Sequence, residues 1–285
     1  MEWIDQLNSA VNYIEEHITE EPDYEKIARI ACCSTYHFQR MFAYMANVHL
    51  SEYIRRRRMS LAAADLQAGA SILDVSLKYG YASPTAFNRA FQSVHGVAPS
   101  VVKKGGVPLK SYSPIRFKIT IQGVDEMNYR IEKKEAFRIV GLASLLDQDI
   151  EKNFMVVPQT WARVASEGLI PRILAMMDGE PKGILGISAC VAENQWKYFI
   201  AAASSAPAAE PFEEYTVGAY TWAVFPGSGK SPEAIQELER RIVTEWLPGS
   251  GYEYADGPDV ELYTNADPMN AEFEVWIPVV MKNNK

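Results

Sequence analysis

The sequence predicts two domains of different class, an all-α domain at the N-terminal end and an α+β domain with a mainly antiparallel sheet after it. Three observations support this prediction. The chain has 285 residues, more than one typical domain. Apolar residues recur at helical spacing up to about residue 105 and alternate as in strands beyond it. The charge is also divided between the two parts, as described next.

The basic residues are concentrated in the first part of the chain. Between residues 34 and 110 there are ten Lys or Arg and three Asp or Glu, a net charge of +7, so the rest of the chain carries −15 of the total of −8. A basic domain attached to an acidic one is typical of a protein whose basic part binds a polyanion. The sequence therefore favours nucleic acid as a partner of the first domain.

Several classes of protein are not expected from the composition. The chain has no apolar run of ~20 residues, and its first ten residues hold two acids where a signal peptide carries positive charge. We therefore expect a cytoplasmic protein with no membrane partner. No cofactor and no metal are expected, because the sequence shows neither a Cys/His ligand spacing nor a phosphate-binding loop.

The first domain is predicted to be a series of helices. Apolar residues from Trp3 to Ile18 recur on one helical face, and that helix is expected to end near Glu20. A short helix over residues 24–30 leads through a turn to Ser34, a plausible N-cap for a helix over residues 35–45. A longer helix is then predicted over residues 50–67.

A repeat divides this domain into two similar halves. The stretch FQRMFA at residues 38–43 returns as FNRAFQ at residues 87–92, 49 positions later, and Ser34 and Ser83 keep the same offset. Before each copy stands a short helix and a tight turn, and Ser83-Pro84 supplies an N-cap followed by proline at the first helical position. The repeat predicts two helix-turn-helix units. With the long helix as a spacer, they could place two helices in DNA major grooves about 34 Å apart.

Polar side chains in both copies are predicted to face outward. They include Tyr36, His37, Gln39, Arg40 and Tyr44 in the first copy and Thr85, Asn88, Arg89 and Gln92 in the second. The run in the long helix favours phosphate contact by some of its members, which are Arg55, Arg56, Arg57 and Arg58. Not all four can face DNA, because consecutive helical positions are about 100° apart. A solvated face remains the alternative for this run.

Two stretches, STYHFQRMFAYMANVHLSEYIRRRRMSLAAADL and ILDVSLKYGYASPTAFNRAFQSVHGVAPSVVKK, resemble the DNA-binding domain of AraC/XylS-type transcription regulators. The resemblance covers about residues 5 to 105 and is strongest to members in which this domain comes first, such as the right-origin-binding protein group. It implies base contacts by Tyr36, Gln39, Arg40, Thr85, Asn88 and Arg89. Tyr36 and Pro84 stand where relatives carry tryptophan and glutamine, so the target DNA sequence cannot be transferred from them.

The second domain is expected to begin after KKGGVP at residues 103–108, which gives domains of 1–107 and 108–285. Its alternating segments predict strands, and they are MNYRIEKK, FRIVGL, ILGISACV, KYFIAAA, EYTVGAYTWAVF, VELYT and FEVWIPVV. Two helical stretches, PQTWARVASEG and SPEAIQELERRIVTEWL, interrupt them, the second with Ser231 as N-cap and Pro232 at its first position.

Aromatic residues and one carboxylate mark a candidate ligand site in this domain. Alternation places Glu274 and Trp276 on one face of the last strand, Tyr220 and Trp222 on one face of an earlier strand, and Tyr198 beside Trp196. A carboxylate among aromatic rings suits an organic cation. The alternative has equal weight: Glu274 is an exposed residue of a solvated face and the tryptophans belong to the core.

The segments IEKKEAFRIVGL, YTVGAYTWAVFP and FEVWIPV resemble the GyrI-like, or multidrug-binding, effector domain over about residues 110 to 282. The resemblance implies a carboxylate in a hydrophobic central cleft that binds cations and drugs. It assigns this carboxylate to Glu274 and the aromatic walls to Tyr220, Trp222 and Trp276.

Together these features predict a sequence-specific regulator of transcription that binds double-stranded DNA and is controlled by a small apolar or cationic effector. Activation is the commoner outcome in this resemblance, and it implies contact with RNA polymerase. Two alternatives remain, a hydrolase with Glu274 as general base and a drug-sequestering protein with an attached DNA-binding domain. The hydrolase lacks a second catalytic group beside Glu274 in the sequence.

Overall fold

The computed structural model describes residues 3–102, 105–118, 126–147, 150–192 and 195–282. The chain divides into two compact units, Met1–Ile119 and Thr120–Lys285, called here the first and second unit. The sequence places the domain boundary near residue 107, whereas residues 107–118 belong to the first unit. Within the described ranges, no helix is both long enough and apolar enough to cross a bilayer.

The first unit is all-α, as the sequence predicts. Its helices are α1 (Trp3–Glu16), α2 (Tyr24–Ile30), α3 (Thr35–Ala46), α4 (Leu50–Gln67), α5 (Ile72–Lys78), α6 (Pro84–His95) and α7 (Pro99–Val102). The predicted N-caps are confirmed, because the Ser34 and Ser83 hydroxyls accept the backbone N–H groups of His37 and Ala86. The first helix ends at Glu16 rather than near Glu20.

Helix α4 is shared by the cores of both helix-turn-helix units. On one side, Phe42 of α3 packs against Tyr53 of α4, with ring centroids 5.3 Å apart. On the other side, Phe87 and Phe91 of α6 are fully buried in a cluster with Leu66 of α4. The long helix is therefore the element that fixes the two units relative to each other.

Two of the four consecutive arginines in α4 stabilise this arrangement. Arg57 is buried and donates from Nε and Nη2 to the Glu15 carboxylate of α1, at 2.8 and 2.7 Å. The Tyr53 hydroxyl donates to the same carboxylate at 2.6 Å. Arg58 donates to the carbonyls of Ile18 and Glu20, just beyond the end of α1. Both guanidinium groups thus hold α1 against α4.

Residues 107–118, called here the strap, form no helix or strand and run along the helices of the first unit. Four of its backbone N–H groups donate to side chains of the helices. The N–H of Lys110 donates to His95 Nδ1 at 3.2 Å and that of Tyr112 to the Ser60 hydroxyl at 2.9 Å. The N–H of Ile115 donates to the Tyr53 hydroxyl at 3.2 Å and that of Phe117 to the Asn8 carboxamide oxygen at 2.8 Å. Phe117 is buried and packs edge-on against Phe42. The strap therefore contacts both helix-turn-helix units. Ile115 and Phe117 are spaced two residues apart, as apolar residues of a strand are, but they form no strand.

The second unit confirms the predicted α+β class. Its strands are β1 (Arg130–Lys134), β2 (Phe137–Leu145), β3 (Ile184–Ala192), β4 (Gln195–Ala203), β5 (Glu213–Val217), β6 (Tyr220–Gly229), β7 (Tyr252–Tyr254), β8 (Asp259–Asn265) and β9 (Ala271–Met281). Its helices are α8 (Ile150–Ser166), α9 (Leu169–Ala175), α10 (Glu233–Arg241), a π-helical turn (Ile242–Trp246) and α11 (Leu247–Gly249). Pro232 occupies the N-cap position of α10, so the prediction of Ser231 there is wrong.

The strands form one antiparallel sheet with two related halves. Their order is β1-β6-β9-β8-β3-β4-β2-β5, with β7 beside β9. In each half a strand is followed by helix and then by a hairpin. In one half, β2 is followed by α8, α9 and the hairpin β3-β4. In the other half, β6 is followed by α10 and the hairpin β8-β9. The halves join where β3 pairs with β8 at the centre. Residues on these two strands therefore lie at the middle of the sheet.

The register separates two faces of the sheet. One, called here the core face, carries a buried apolar cluster that includes Leu185, Ile187, Phe199, Trp222 and Trp276. The other, called here the helix face, carries the helices: Thr160 of α8 donates to Ser144 at 2.9 Å, and the space beside Gly227 is filled by Phe273 and by Leu238 of α10. Polar groups on the helix face thus lie between sheet and helices.

Replacing Arg57 by methionine should lower the free energy of unfolding of the first unit by about 3 kcal/mol, because the Glu15 carboxylate would remain part-buried without its guanidinium partner. The matched control is Arg55→Met in the same run, whose side chain is 46% exposed and pairs with Glu52. It should cost less than about 1 kcal/mol. Urea unfolding of the full chain, followed by circular dichroism, measures both; equal losses would contradict the assignment.

Stability should also depend on the protonation of His95. Burial lowers the pKa of His95 below its usual 6.5, and its Nδ1 accepts the Lys110 N–H, so the neutral ring carries its proton on Nε2, which faces the Met59 carbonyl at 3.0 Å. The unfolded chain takes up this proton near pH 6.5 and the folded chain only at lower pH. The stabilisation is therefore complete above pH 6.5 and is lost as the pH falls through the folded-state pKa.

The measurement compares the urea midpoints of the wild type and His95→Gln at about pH 7.5 and about pH 5.5. The wild type should lose more stability on acidification than the variant. A decline of the same size in both proteins would show that His95 does not contribute to the pH dependence.

Candidate functional site

Helix α6 belongs to the second helix-turn-helix copy, and its predicted base-contacting residues lie at or near the surface. Thr85 and Arg89 are exposed, and Asn88 is half-buried. The Asn88 carboxamide accepts a hydrogen bond from Gln92 at 3.2 Å, which orders both amides on the outer side of the helix. Arginine, asparagine and threonine supply the donors and acceptors that fit base edges in the major groove.

Helix α3 differs from α6 although the repeat aligns them. Gln39 is 2% exposed and Arg40 is 8% exposed, and His37 is also buried, so the prediction that these side chains face solvent is wrong. The Arg40 guanidinium lies 5.8 Å from the centre of the Tyr44 ring, and Tyr36 meets the His37 ring edge-on. Helical spacing determines which side of α3 a residue occupies, but it does not determine what covers that side.

The arginine run is divided by the helical periodicity. Arg55 pairs with Glu52 at the surface, and Arg56 pairs with the same carboxylate while its guanidinium lies 5.3 Å from the Tyr112 ring centre. Arg57 and Arg58 bind groups within the first unit, as described above. Two of the four side chains thus lie at the surface of the first unit.

The structure places four of the five predicted effector-site residues on the core face. Tyr220 and Trp222 lie on β6 and Glu274 and Trp276 on the neighbouring β9, where Glu274 is opposite Pro226, six residues along the strand from Tyr220. The Trp276 N–H donates to Glu274 at 2.8 Å, and Arg130 of β1 pairs with the same carboxylate at 2.8 Å. The Lys134 ammonium lies 4.6 Å from the Trp276 ring centre. The predicted combination of carboxylate and aromatic rings exists, and two cations of the chain itself occupy it.

Trp222 and Trp276 are buried in the core cluster, at 0% and 1% exposure, whereas Glu274 is half-buried. Their rings meet edge-on, with centroids 5.9 Å apart, and Tyr220 meets Trp222 in the same way at 5.3 Å. The two tryptophans therefore fill the core, as the alternative interpretation of the sequence held.

Tyr198 lies on the opposite, helix face and belongs to a different group. Its hydroxyl donates to Glu261 Oε2 at 3.0 Å, and the Tyr263 hydroxyl donates to the same oxygen at 2.9 Å. The Trp161 N–H of α8 donates to the Tyr198 hydroxyl at 2.9 Å, and the Trp161 ring meets the Tyr263 ring edge-on at 5.1 Å. We call Trp161, Tyr198, Glu261 and Tyr263 the central carboxylate cluster.

The surroundings of the cluster are acidic and keep its phenols protonated. Burial, followed by the charge of Glu261, raises the pKa of Tyr198 and of Tyr263 well above the usual value for tyrosine. Both hydroxyls therefore act as donors to the carboxylate at neutral pH. Two further acids are buried nearby, Asp259 on the same side of β8 and Glu239 of α10, whose charge acts on Tyr263. Carboxylate charge beside aromatic rings is the chemistry that binds organic cations.

The sequence reasoning missed Glu261, although the sequence carries a signal for it. In VELYT, Val260 and Leu262 belong to the core cluster, so Glu261 and Tyr263 share the other side of the strand. Trp161 and Tyr198 could not be assigned to Glu261 in this way, because helix docking and strand pairing bring them together.

Comparison with known proteins gives matches for both parts of the chain. The family model described as "Integron-associated effector binding protein" matches residues 130–279, and one described as "Helix-turn-helix domain" matches residues 27–105. The transcriptional activator AarP of Providencia stuartii is 34% identical over 98 residues, which is 34% of this chain and 73% of AarP. The regulatory protein SoxS of Salmonella typhimurium is 33% identical over 95 residues, 33% of this chain and 89% of SoxS.

Two further proteins are similar over part of the chain. The uncharacterized regulator YbfP of Bacillus subtilis is 32% identical over 98 residues, which is 34% of this chain, and the match spans only 33% of YbfP. The crystal structure of a putative bacterial transcription regulation protein from Staphylococcus aureus aligns with a TM-score of 0.47 and 22% identity, over 54% of this chain and 99% of that one.

Proposed function

Because the chain belongs to the integron-associated effector-binding protein family and carries an AraC-type helix-turn-helix domain before that part, we propose that it is a DNA-binding transcription regulator controlled by a small molecule. The first unit binds double-stranded DNA, and the second unit binds the effector. The observation that carries this proposal is the presence, in one chain, of two helix-turn-helix units and a half-buried carboxylate among aromatic rings, between sheet and helices. The names of AarP and SoxS support regulation rather than hydrolysis.

The DNA is read by α3 and α6, with α4 as the spacer between them. Thr85, Asn88 and Arg89 of α6 contact bases directly, since they lie at or near the surface. The corresponding residues of α3, Tyr36, Gln39 and Arg40, contact bases once the covered side of that helix is accessible. Arg55 and Arg56 contact phosphates, whereas Arg57 and Arg58 hold the fold together.

The effector is an apolar organic cation that binds at the central carboxylate cluster. The rings of Trp161 and Tyr263 supply apolar area and negative faces, and Glu261 supplies the countercharge. Glu274 is the alternative carboxylate, as the sequence predicts. A cation at Glu274 would have to compete with Arg130, which already pairs with it.

We propose that the protein activates transcription, in keeping with the name of AarP, and that activation involves contact with RNA polymerase in the cytoplasm. The effector regulates only if it binds the DNA-bound and free forms with different affinity. A coupling free energy of typically 1–3 kcal/mol would change DNA affinity about 5- to 150-fold.

Replacing Arg89 by alanine should weaken binding to the specific DNA site by about 1–3 kcal/mol, because one side chain that reads a base edge is lost. Arg55→Ala is the matched control. It should weaken binding to specific and non-specific duplexes alike. The slope of log affinity against log salt concentration should fall by about 1, as expected for one lost phosphate contact. Fluorescence anisotropy measures both on a site selected from random duplexes with the purified chain. Unchanged specific binding in Arg89→Ala would remove α6 from base reading.

The effector site is tested by Glu261→Gln and Glu274→Gln, which remove one charge each from opposite faces of the sheet. The probes are tetraphenylphosphonium and the neutral triphenylphosphine oxide. The wild type should be stabilised more by the cation than by the neutral compound, because only the cation interacts with the carboxylate charge. Glu261→Gln should weaken cation binding about tenfold or more, a loss of ~1.4 kcal/mol or more, while Glu274→Gln should bind as the wild type.

Thermal shift and isothermal titration calorimetry of each variant with each probe give the result. Loss of cation binding in Glu274→Gln alone would place the effector on the core face, as the sequence predicts. Equal stabilisation of the wild type by the cation and the neutral compound would contradict a cationic effector.

A further inference from the structure

Gly186 lies on β3 at the centre of the sheet, in a position where its own backbone does not require glycine. It pairs with Glu261 on β8 and with Ile200 on β4, and it is buried. It is not among the residues with positive φ, so its conformation is open to any amino acid. Glycine inside a strand weakens the strand and often marks a place where another group approaches closely.

The groups that approach Gly186 are the two partners of the central hydrogen bond. A Cβ at this position would lie 2.3 Å from the Tyr198 hydroxyl oxygen, 2.8 Å from Glu261 Oε2 and 3.2 Å from Tyr198 Cζ. The first two distances are shorter than van der Waals contact allows. The hydroxyl and the carboxylate therefore occupy the volume that any other side chain would need.

Strand order explains why this empty position matters. Tyr198 is on β4 and Glu261 is on β8, and β3 runs between them. Strands separated by one other strand are about 9.5 Å apart, so the two side chains can meet only by reaching across β3. Their 3.0 Å hydrogen bond passes over Gly186, where no side chain stands in the way.

We propose that Gly186 is a positioning residue of the effector site: it allows the Tyr198 hydroxyl to reach Glu261 across β3, and so holds the carboxylate in the orientation that binds a cation. The predicted effect on cation binding rests on the proposed function. The claim that Gly186 allows the hydrogen bond between Tyr198 and Glu261 does not. Any side chain at position 186 separates Tyr198 from Glu261. The site then loses its preference for a cation over a neutral compound of similar shape.

The test uses the full chain with Gly186→Ala, Tyr198→Phe and the double variant. Gly179→Ala is the control for replacing a glycine of the same unit, because its Cβ would lie 3.6 Å from Ala203, an ordinary contact. Two properties are measured: the unfolding midpoint without any ligand, and the affinities for tetraphenylphosphonium and triphenylphosphine oxide by calorimetry.

Gly186→Ala should weaken cation binding about tenfold or more and neutral binding less, a loss of ~1.4 kcal/mol or more for the cation. Tyr198→Phe added to Gly186→Ala should change cation affinity less than about twofold, because the hydroxyl has already left the carboxylate. Without ligand, the double variant should unfold at a higher denaturant concentration than Gly186→Ala alone, since the closest clash is with the hydroxyl. Gly179→Ala should bind as the wild type.

Wild-type cation affinity in Gly186→Ala, or effects of the two substitutions that simply add, would overturn the proposal. If the wild type itself shows no preference for the cation, the proposed effector class fails. The unfolding midpoints of the two single variants and the double variant, measured without ligand, still decide the role of Gly186. If Gly186→Ala does not fold alone, a folded double variant supports the proposal and an unfolded one overturns it.

Discussion

The second unit is organised around the hydrogen bonds that two tyrosines donate to Glu261 at the centre of the sheet. A carboxylate that is partly removed from water is costly unless donors satisfy it, and for the half-buried Glu261 the donors come from β4 and from β8 itself. Glu261 and Glu274 are therefore held differently. Glu274 is bound by an arginine and an indole, whereas phenols donate to Glu261. At Glu274 a ligand cation competes with the Arg130 guanidinium, whereas at Glu261 it meets a carboxylate to which two phenols donate.

The first unit depends on a comparable buried charge, the pair between Arg57 and Glu15. Four consecutive arginines on one helix point in four directions, so α4 can bind α1 with Arg57 and Arg58 while Arg55 and Arg56 lie outside. The same helix contributes Ser60 and Tyr53 to the binding of the strap. A single helix thus sets the separation of the reading helices and also holds the segment that leads out of the first unit.

Local pattern was enough to predict most of the first unit and little of the effector site. Helix bounds follow from apolar spacing and capping serines, which act within a few residues, and α3, α4 and α6 appear where the sequence indicates. The exposure of Gln39 and Arg40 was predicted wrongly, because helical spacing assigns the side of a helix and not what covers that side. Alternation likewise assigns faces within a strand, but only strand pairing reveals that Tyr198 and Glu274 lie on opposite faces.

The proposed effector site lies where the two halves of the sheet join. Trp161 and Tyr198 belong to the half of the sheet that contains β3, and Glu261 and Tyr263 belong to the half that contains β8. A ligand bound among them contacts both halves at the place where they join. A ligand there can regulate only if the halves adopt two arrangements that it binds with different affinity, since that difference is the only quantity by which an effector can shift a conformational equilibrium. A ligand at Glu274, by contrast, contacts β1, β6 and β9, which all belong to one half.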